Sequence, residues 1–305
     1  MNILARSSFY LALAAGCSFG AAANAADLIL PEPIAYQDDE LLLPAVSGVN
    51  GKWELSGGLF NPGGIGFRAA GSVSIPLGER FGAQGDVMAT WTGSDLYLAG
   101  AGHLFTRDPS LYLLGVTGGV VVEPGVATLG AVGLEGELYL DRWSLEGWAG
   151  VAAIDYVAIL PPDQVGFFAI GDIAFYPTDD LRFTVGGSYI LGDTALHLGA
   201  EYQLTSFAWP VSLTTDARIH SGGAYAITAG IKGYIGGEPG KSLIDRHRQD
   251  DPPNRALDLF SAAGGLLDPD PPTDEEICLY TEEDFGDWIY DDGDCYFDDG
   301  EQNPG

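Results

Sequence analysis

Charged residues stand singly through the middle of this chain, each within a stretch of mostly apolar or small neighbours: Glu54, Arg68, Asp86, Glu135, Glu137, Glu146, Asp172, Glu201, Asp216, Arg218 and Lys232. Around most of them, apolar side chains alternate with polar or small ones, and the charge falls on the polar side. A buried charge without water or a partner is very costly, so a shared charged face implies water or mutual pairing. Acids outnumber bases in this set. One chemistry is then a hydrated, net-acidic path that favours cations or small basic solutes. The other is a closed interior in which the acids pair with Arg68, Arg218 and Lys232. Glu146 joins the set although its own stretch alternates less cleanly.

Other reactive types are thinly represented. His103, His197 and His220 lie in or beside such stretches, but no serine is marked by context as a nucleophile, so each reads as a structural histidine. No catalytic residue, metal centre or cofactor is expected, because no CxxC pair, histidine cluster, phosphate loop or nucleotide fingerprint occurs. The run Asp291-Asp292-Gly293-Asp294 with Asp298, Asp299 and Glu301 is oxygen-rich enough to suggest calcium. Its spacing does not follow the EF-hand loop, and a solvated acidic tail explains it as well. Cys278 and Cys295 remain after removal of a leader that contains Cys17, and an even pair in an exported chain reads as one disulfide.

The element that must position the charges is a strand. From about Gly51 to Gly237 a unit of roughly ten residues with period-two alternation, then a polar turn, recurs about a dozen times. In the first, Trp53, Leu55, Gly57 and Leu59 share one face and Lys52, Glu54 and Ser56 the other. Later strands are expected around 96–105, 111–122, 126–140, 143–156, 165–176, 181–191, 195–205, 211–220 and 224–235. Gly, Pro, Asp or Ser fills each connection, as hairpins require. Strands of about 9–11 residues, when tilted, cross the hydrocarbon layer of an outer membrane. The aromatic residues Trp53, Trp91, Tyr97, Tyr139, Trp143, Tyr156, Tyr176, Tyr189, Tyr202 and Tyr225 fall near strand ends, where an aromatic girdle would sit. The fold expected is all-β: a transmembrane antiparallel up-and-down barrel of about twelve strands.

The flanks set the domain plan. Residues 1–25 read as a signal peptide, with Arg6, an apolar core from Phe9 to Ala15 and small residues at Ala23-Asn24-Ala25. A rival, lipobox-like cut lies before Cys17, with Ala14 where a larger apolar residue is usual. Residues 26–50 form a Pro-bearing periplasmic linker, 51–237 the barrel and 238–305 an acidic, largely disordered periplasmic tail. Within that tail 241–255 and 256–267 are short helices at most. Net charge is −30 over 305 residues, and from Asp268 onward there is no basic residue at all. Such acidity argues against nucleic acid and against anionic headgroups. Small lumen-side Gly and Ala leave room for a column of water, or for the linker to fill.

The Ala26-Asp27-Leu28 opening after the signal, the Pro-bearing linker and the Gly-rich barrel resemble small outer-membrane proteins of Gram-negative bacteria, alphaproteobacterial ones especially. The resemblance is at superfamily level. It implies a bacterial outer-membrane location with both termini periplasmic, porin-like passive diffusion, and contacts with outer-membrane lipid and the barrel assembly machinery. The chain departs from such proteins in carrying about seventy residues beyond the last strand. An alternative role follows: a plugged structural barrel anchoring a tail that binds a basic periplasmic protein or calcium.

Overall fold

Period-two alternation leaves each segment one apolar and one polar face, and closing the sheet on itself gives both faces a place. The computed structural model describes residues 43–93, 95–158, 162–207, 209–238 and 240–267, with the backbone of 288–291 and 294–297. Twelve antiparallel strands close into a barrel: β1 (Asn50–Asn61), β2 (Gly64–Pro76), β3 (Phe81–Thr92), β4 (Asp95–Asp108), β5 (Tyr112–Glu123), β6 (Ala127–Leu140), β7 (Trp143–Tyr156), β8 (Gln164–Thr178), β9 (Leu181–Ile190), β10 (Asp193–Leu204), β11 (Val211–His220) and β12 (Tyr225–Ile235). Each pairs with its sequence neighbours, and β1 meets β12 in a register that sets Glu54 against Lys232 and Asn61 against Tyr225. The up-and-down barrel expected from the alternation is the fold found, with the strand count as read.

The polarity is the reverse of a water-soluble barrel. Leu55, Phe67, Val87, Leu134, Phe167 and Ile227 point outward and are half or more exposed. Arg68, Asp86, Glu135, Glu137, Glu201 and Arg218 point inward and are buried. An apolar exterior on a closed sheet leaves no edge and no unpaired backbone group for lipid to meet. Six of the girdle aromatics face out. Trp53, Trp143 and Tyr202 lie near the mouth where β1 starts and β12 ends, here called the terminal mouth. Trp91, Tyr189 and Tyr225 lie near the opposite, far mouth.

Tyr97, Tyr139, Tyr156 and Tyr176 depart from the girdle expectation: they are buried on the inner face. Parity decides this. Tyr97 shares its face with His103, and Tyr139 shares its face with Glu135 and Glu137.

After β12 the chain turns back into the barrel. α1 (Leu243–Asp245), a single π turn (Arg246–Asp250) and α2 (Arg255–Ala262) follow. The two short helices allowed by the sequence both form, and they lie in the lumen. A small hairpin, β13 (Trp288–Asp291) with β14 (Asp294–Phe297), pairs Tyr290 with Cys295. Cys278, and so the expected disulfide, lies outside the described residues, as do the signal and most of the linker.

Candidate functional site: an occupied lumen

The eleven charged residues picked from the sequence stand at inward positions of their strands, by the parity of buried and exposed neighbours. Lys52, Arg107, Glu123 and Arg182 share that face and were not among them. Arg107 falls in a stretch that reads as a turn, because β4 runs farther than its alternation suggests. Three of these four additions are basic, so the wall is less acidic than the first set implied.

Many of the wall charges are paired with one another or with the segment inside, while Arg68 and Arg107 lie over aromatic rings. Lys232 lies 2.8 Å from Glu201 and 3.4 Å from Glu54. Arg182 holds both oxygens of Glu146 at 2.7 Å. His103 bridges Asp86 at 2.6 Å and Glu135 at 3.0 Å. His197 bridges Asp172 and Asp216, at 2.6 Å each, and His220 lies 2.6 Å from Asp193. All three histidines are thus inward and held by carboxylates.

Residues 241–267 run through the lumen from the terminal mouth to the far one. Near the terminal mouth Gln203 Nε2 donates to the Lys241 carbonyl (3.0 Å), and the Ile244 amide donates to the Asp179 carbonyl (3.0 Å). Arg248 donates to the carbonyls of Asp141 (2.7 Å) and Trp143 (2.9 Å) and lies over the ring of Tyr139. Between Tyr176 and Tyr234 sits His247. Tyr176 Oη is 2.9 Å from its Nδ1 and Tyr234 Oη 3.1 Å from its Nε2. Tyr234 donates its own proton to Glu201, so the network is satisfied by a neutral His247 protonated on Nε2 and accepting at Nδ1.

Asp251-Pro252-Pro253 then crosses the middle of the barrel. Proline carbonyls have no helix to satisfy them here; Lys52 donates to that of Pro252, and Gln84 to those of Pro252 (3.3 Å) and Pro253 (3.1 Å). Asn254 caps α2, its side chain accepting from the Leu257 amide at 2.9 Å. At the first turn Arg255 is 1 % exposed. Its Nε donates to Glu135 at 3.0 Å, its Nη1 to Asp258 at 3.0 Å, and its backbone amide to Asp86 at 2.8 Å.

The two sides of α2 meet different surroundings. Ala256, Leu259, Phe260 and Ala262 pack with Leu129, Trp148, Ile154, Phe168 and Ile170 of the wall in one dry cluster. Ala99, Ala101 and Gly119 make the seat: a Cβ added at Gly119 would stand 3.4 Å from Leu259 Cδ2. The small lumen residues therefore leave room for a helix. On the other side, Leu257, Asp258 and Ser261 face a cavity of about 140 Å³ lined by Glu54, Arg68, Asp216 and Arg218 among others. Fully burying a large apolar side chain contributes about 1.5–3 kcal/mol, whereas a buried ion pair is near neutral against an apolar substitute. The dry face supplies the attraction, and the Arg255 network fixes which residue sits at which height.

No protein-family model matches the sequence. No curated protein matches it either. Among solved structures it is similar to the KdgM porin, at 12 % identity and TM-score 0.45 over 61 % of this chain and 99 % of that one. It is also similar to an outer membrane channel from Pseudomonas putida F1, at 10 % identity and TM-score 0.43 over 65 % and 99 %. A third is outer membrane phospholipase A from Escherichia coli, at 13 % identity and TM-score 0.40 over 65 % and 93 %. Channels and an enzyme both occur among these barrels, and at such identities the likeness is one of architecture.

Proposed function

We propose that this chain is an outer-membrane β-barrel channel for small, preferentially cationic solutes, held shut in the state described by residues 241–267. The apolar exterior, the outward aromatics at both mouths and the signal-like leader support the outer membrane as its place. The observation that carries the reading is the lumen itself: a wall with an excess of carboxylates, occupied by a segment covalently tied to the barrel at the terminal mouth. Outer-membrane lipid and the assembly machinery are the partners such a barrel needs. A catalytic role finds no support in His103, His197 and His220, held by carboxylates, or in His247, held by two tyrosines.

Conductance in planar bilayers tests this, comparing the mature chain with one ending at Gly237. Current steps from the shortened form, rarer or absent in the longer one, are the expected result. Replacing both Glu135 and Glu137 by Gln in the shortened form should lower its cation preference, since no Arg255 then neutralises them. An unchanged reversal potential would remove the charge argument. Silence from a shortened barrel shown to be folded would overturn conduction; steps from the shortened form with lasting silence from the longer one would leave the second reading, a permanently plugged anchor for the acidic tail. The depth of the Arg255 pairing is what favours that alternative.

A further inference from the structure

The ends of the described barrel unit lie at opposite mouths. Residues 43–49 enter at the terminal mouth, where the Ala45 amide donates to the carbonyl of Glu79, in the turn between β2 and β3. Arg255 is at mid-height, bonded to Asp86 and Glu135 near the middles of β3 and β6. Beyond α2 the contacts are all with the far mouth. Tyr156 Oη, on the last residue of β7, donates to the Leu266 carbonyl at 3.0 Å. Gly264 lies against His220 at the end of β11, and Gly265 against Asp193 at the start of β10, so close that an added Cβ would stand 2.7 Å from the Asp193 carboxylate. Leu267 lines a small cavity with Asn61, Pro62 and Thr92, which form the far turns of the first two hairpins.

We infer that the chain crosses the membrane once more, through the inside of its own barrel, and that residues 268–305 are delivered to the cell surface. An even number of strands returns the chain to the side from which it started, so the start of β1 and the end of β12 share one side, taken as the periplasm, the orientation that the resemblance to outer-membrane barrels implies. The strands' polar interior lets residues 241–267 make the further crossing without meeting lipid. This departs from the expectation of a periplasmic C-terminus. Function changes with it: the barrel carries a strongly acidic stretch of chain to the outside of the cell. The inference rests on the outer-membrane placement above and is independent of conduction.

The test uses the unaltered protein in intact cells. From Asp268 onward the chain has 15 acidic residues, so an acid-specific protease added outside has many sites. Outer-membrane fractionation first establishes that the protein is there, which separates failure of the placement from failure of this inference. A periplasmic marker must stay uncut. The expected result is a loss of up to about 4 kDa, the share of 38 residues in a chain of 305 residues and 32.1 kDa. The heat-modifiable barrel should remain. Full mass in intact cells, with trimming only after the outer membrane is permeabilised, would overturn the inference. Resistance in both conditions would also count against it, because a surface segment of this composition is open to cleavage.

Discussion

Replacing Arg255 by Met keeps most of the side chain's length and removes its charge at the point where the inner segment is most deeply bound. The carboxylate of Glu135 then loses a partner at 3.0 Å in a site where neither group exceeds 1 % side-chain exposure. Stranding one member of a buried pair costs about 3–5 kcal/mol. The lower end applies here, because His103 still holds Glu135 at 3.0 Å and Asp86 still accepts from the residue-255 amide at 2.8 Å. Asp258 also loses a partner, but its side chain is 15 % exposed, toward the cavity, and water can replace it. About 3 kcal/mol is roughly a hundredfold in the docking equilibrium. The barrel ladder is untouched, so the change belongs to the segment alone. Amide hydrogen exchange on the folded, detergent-solubilised barrel reads it: α2 amides should exchange roughly a hundredfold faster, with β3 and β6 unchanged. Equal α2 protection in Arg255→Met and the parent, within about threefold, would refute the claim that this network fixes the segment.

Leu259→Ala should weaken docking by about 2–5 kcal/mol, since Leu259 is fully buried against the wall and its seat is rigid strand; faster α2 exchange with an intact barrel is the readout.

Most of the barrel was legible because alternation on twelve strands leaves few other solutions. The bounds of 143–156 and 211–220 coincide with β7 and β11. The charged inner face was legible by the same parity. The four inward tyrosines were misplaced because nearness to a strand end was weighed before parity. The occupant was harder to see. Its signal lies in runs where both faces are apolar, Val120-Val121-Val122 and Phe167-Phe168: Val121 and Phe168 are fully buried inside, while Val120 and Phe167 are exposed outside. An inward apolar patch cannot line a water column, and it asked for an apolar partner. Leu259-Phe260 answers it from a stretch whose own composition suggested only a short helix in a tail.

The part of the chain that fills the barrel is made after the part that closes it. The seam between β1 and β12 runs from Gly51–Ile235 to Asn61–Tyr225 without a break, and residues 241–267 come later in sequence. Assembly therefore has two routes: the seam shuts around a loop already inside, or an empty barrel forms and the remaining chain is drawn through it. On the second route an open lumen is an obligatory stage of biogenesis, whatever the finished protein conducts. The order in which heat-modifiability and α2 protection are acquired during refolding separates the two: simultaneous gain marks closure around the segment, and a lag in α2 marks threading.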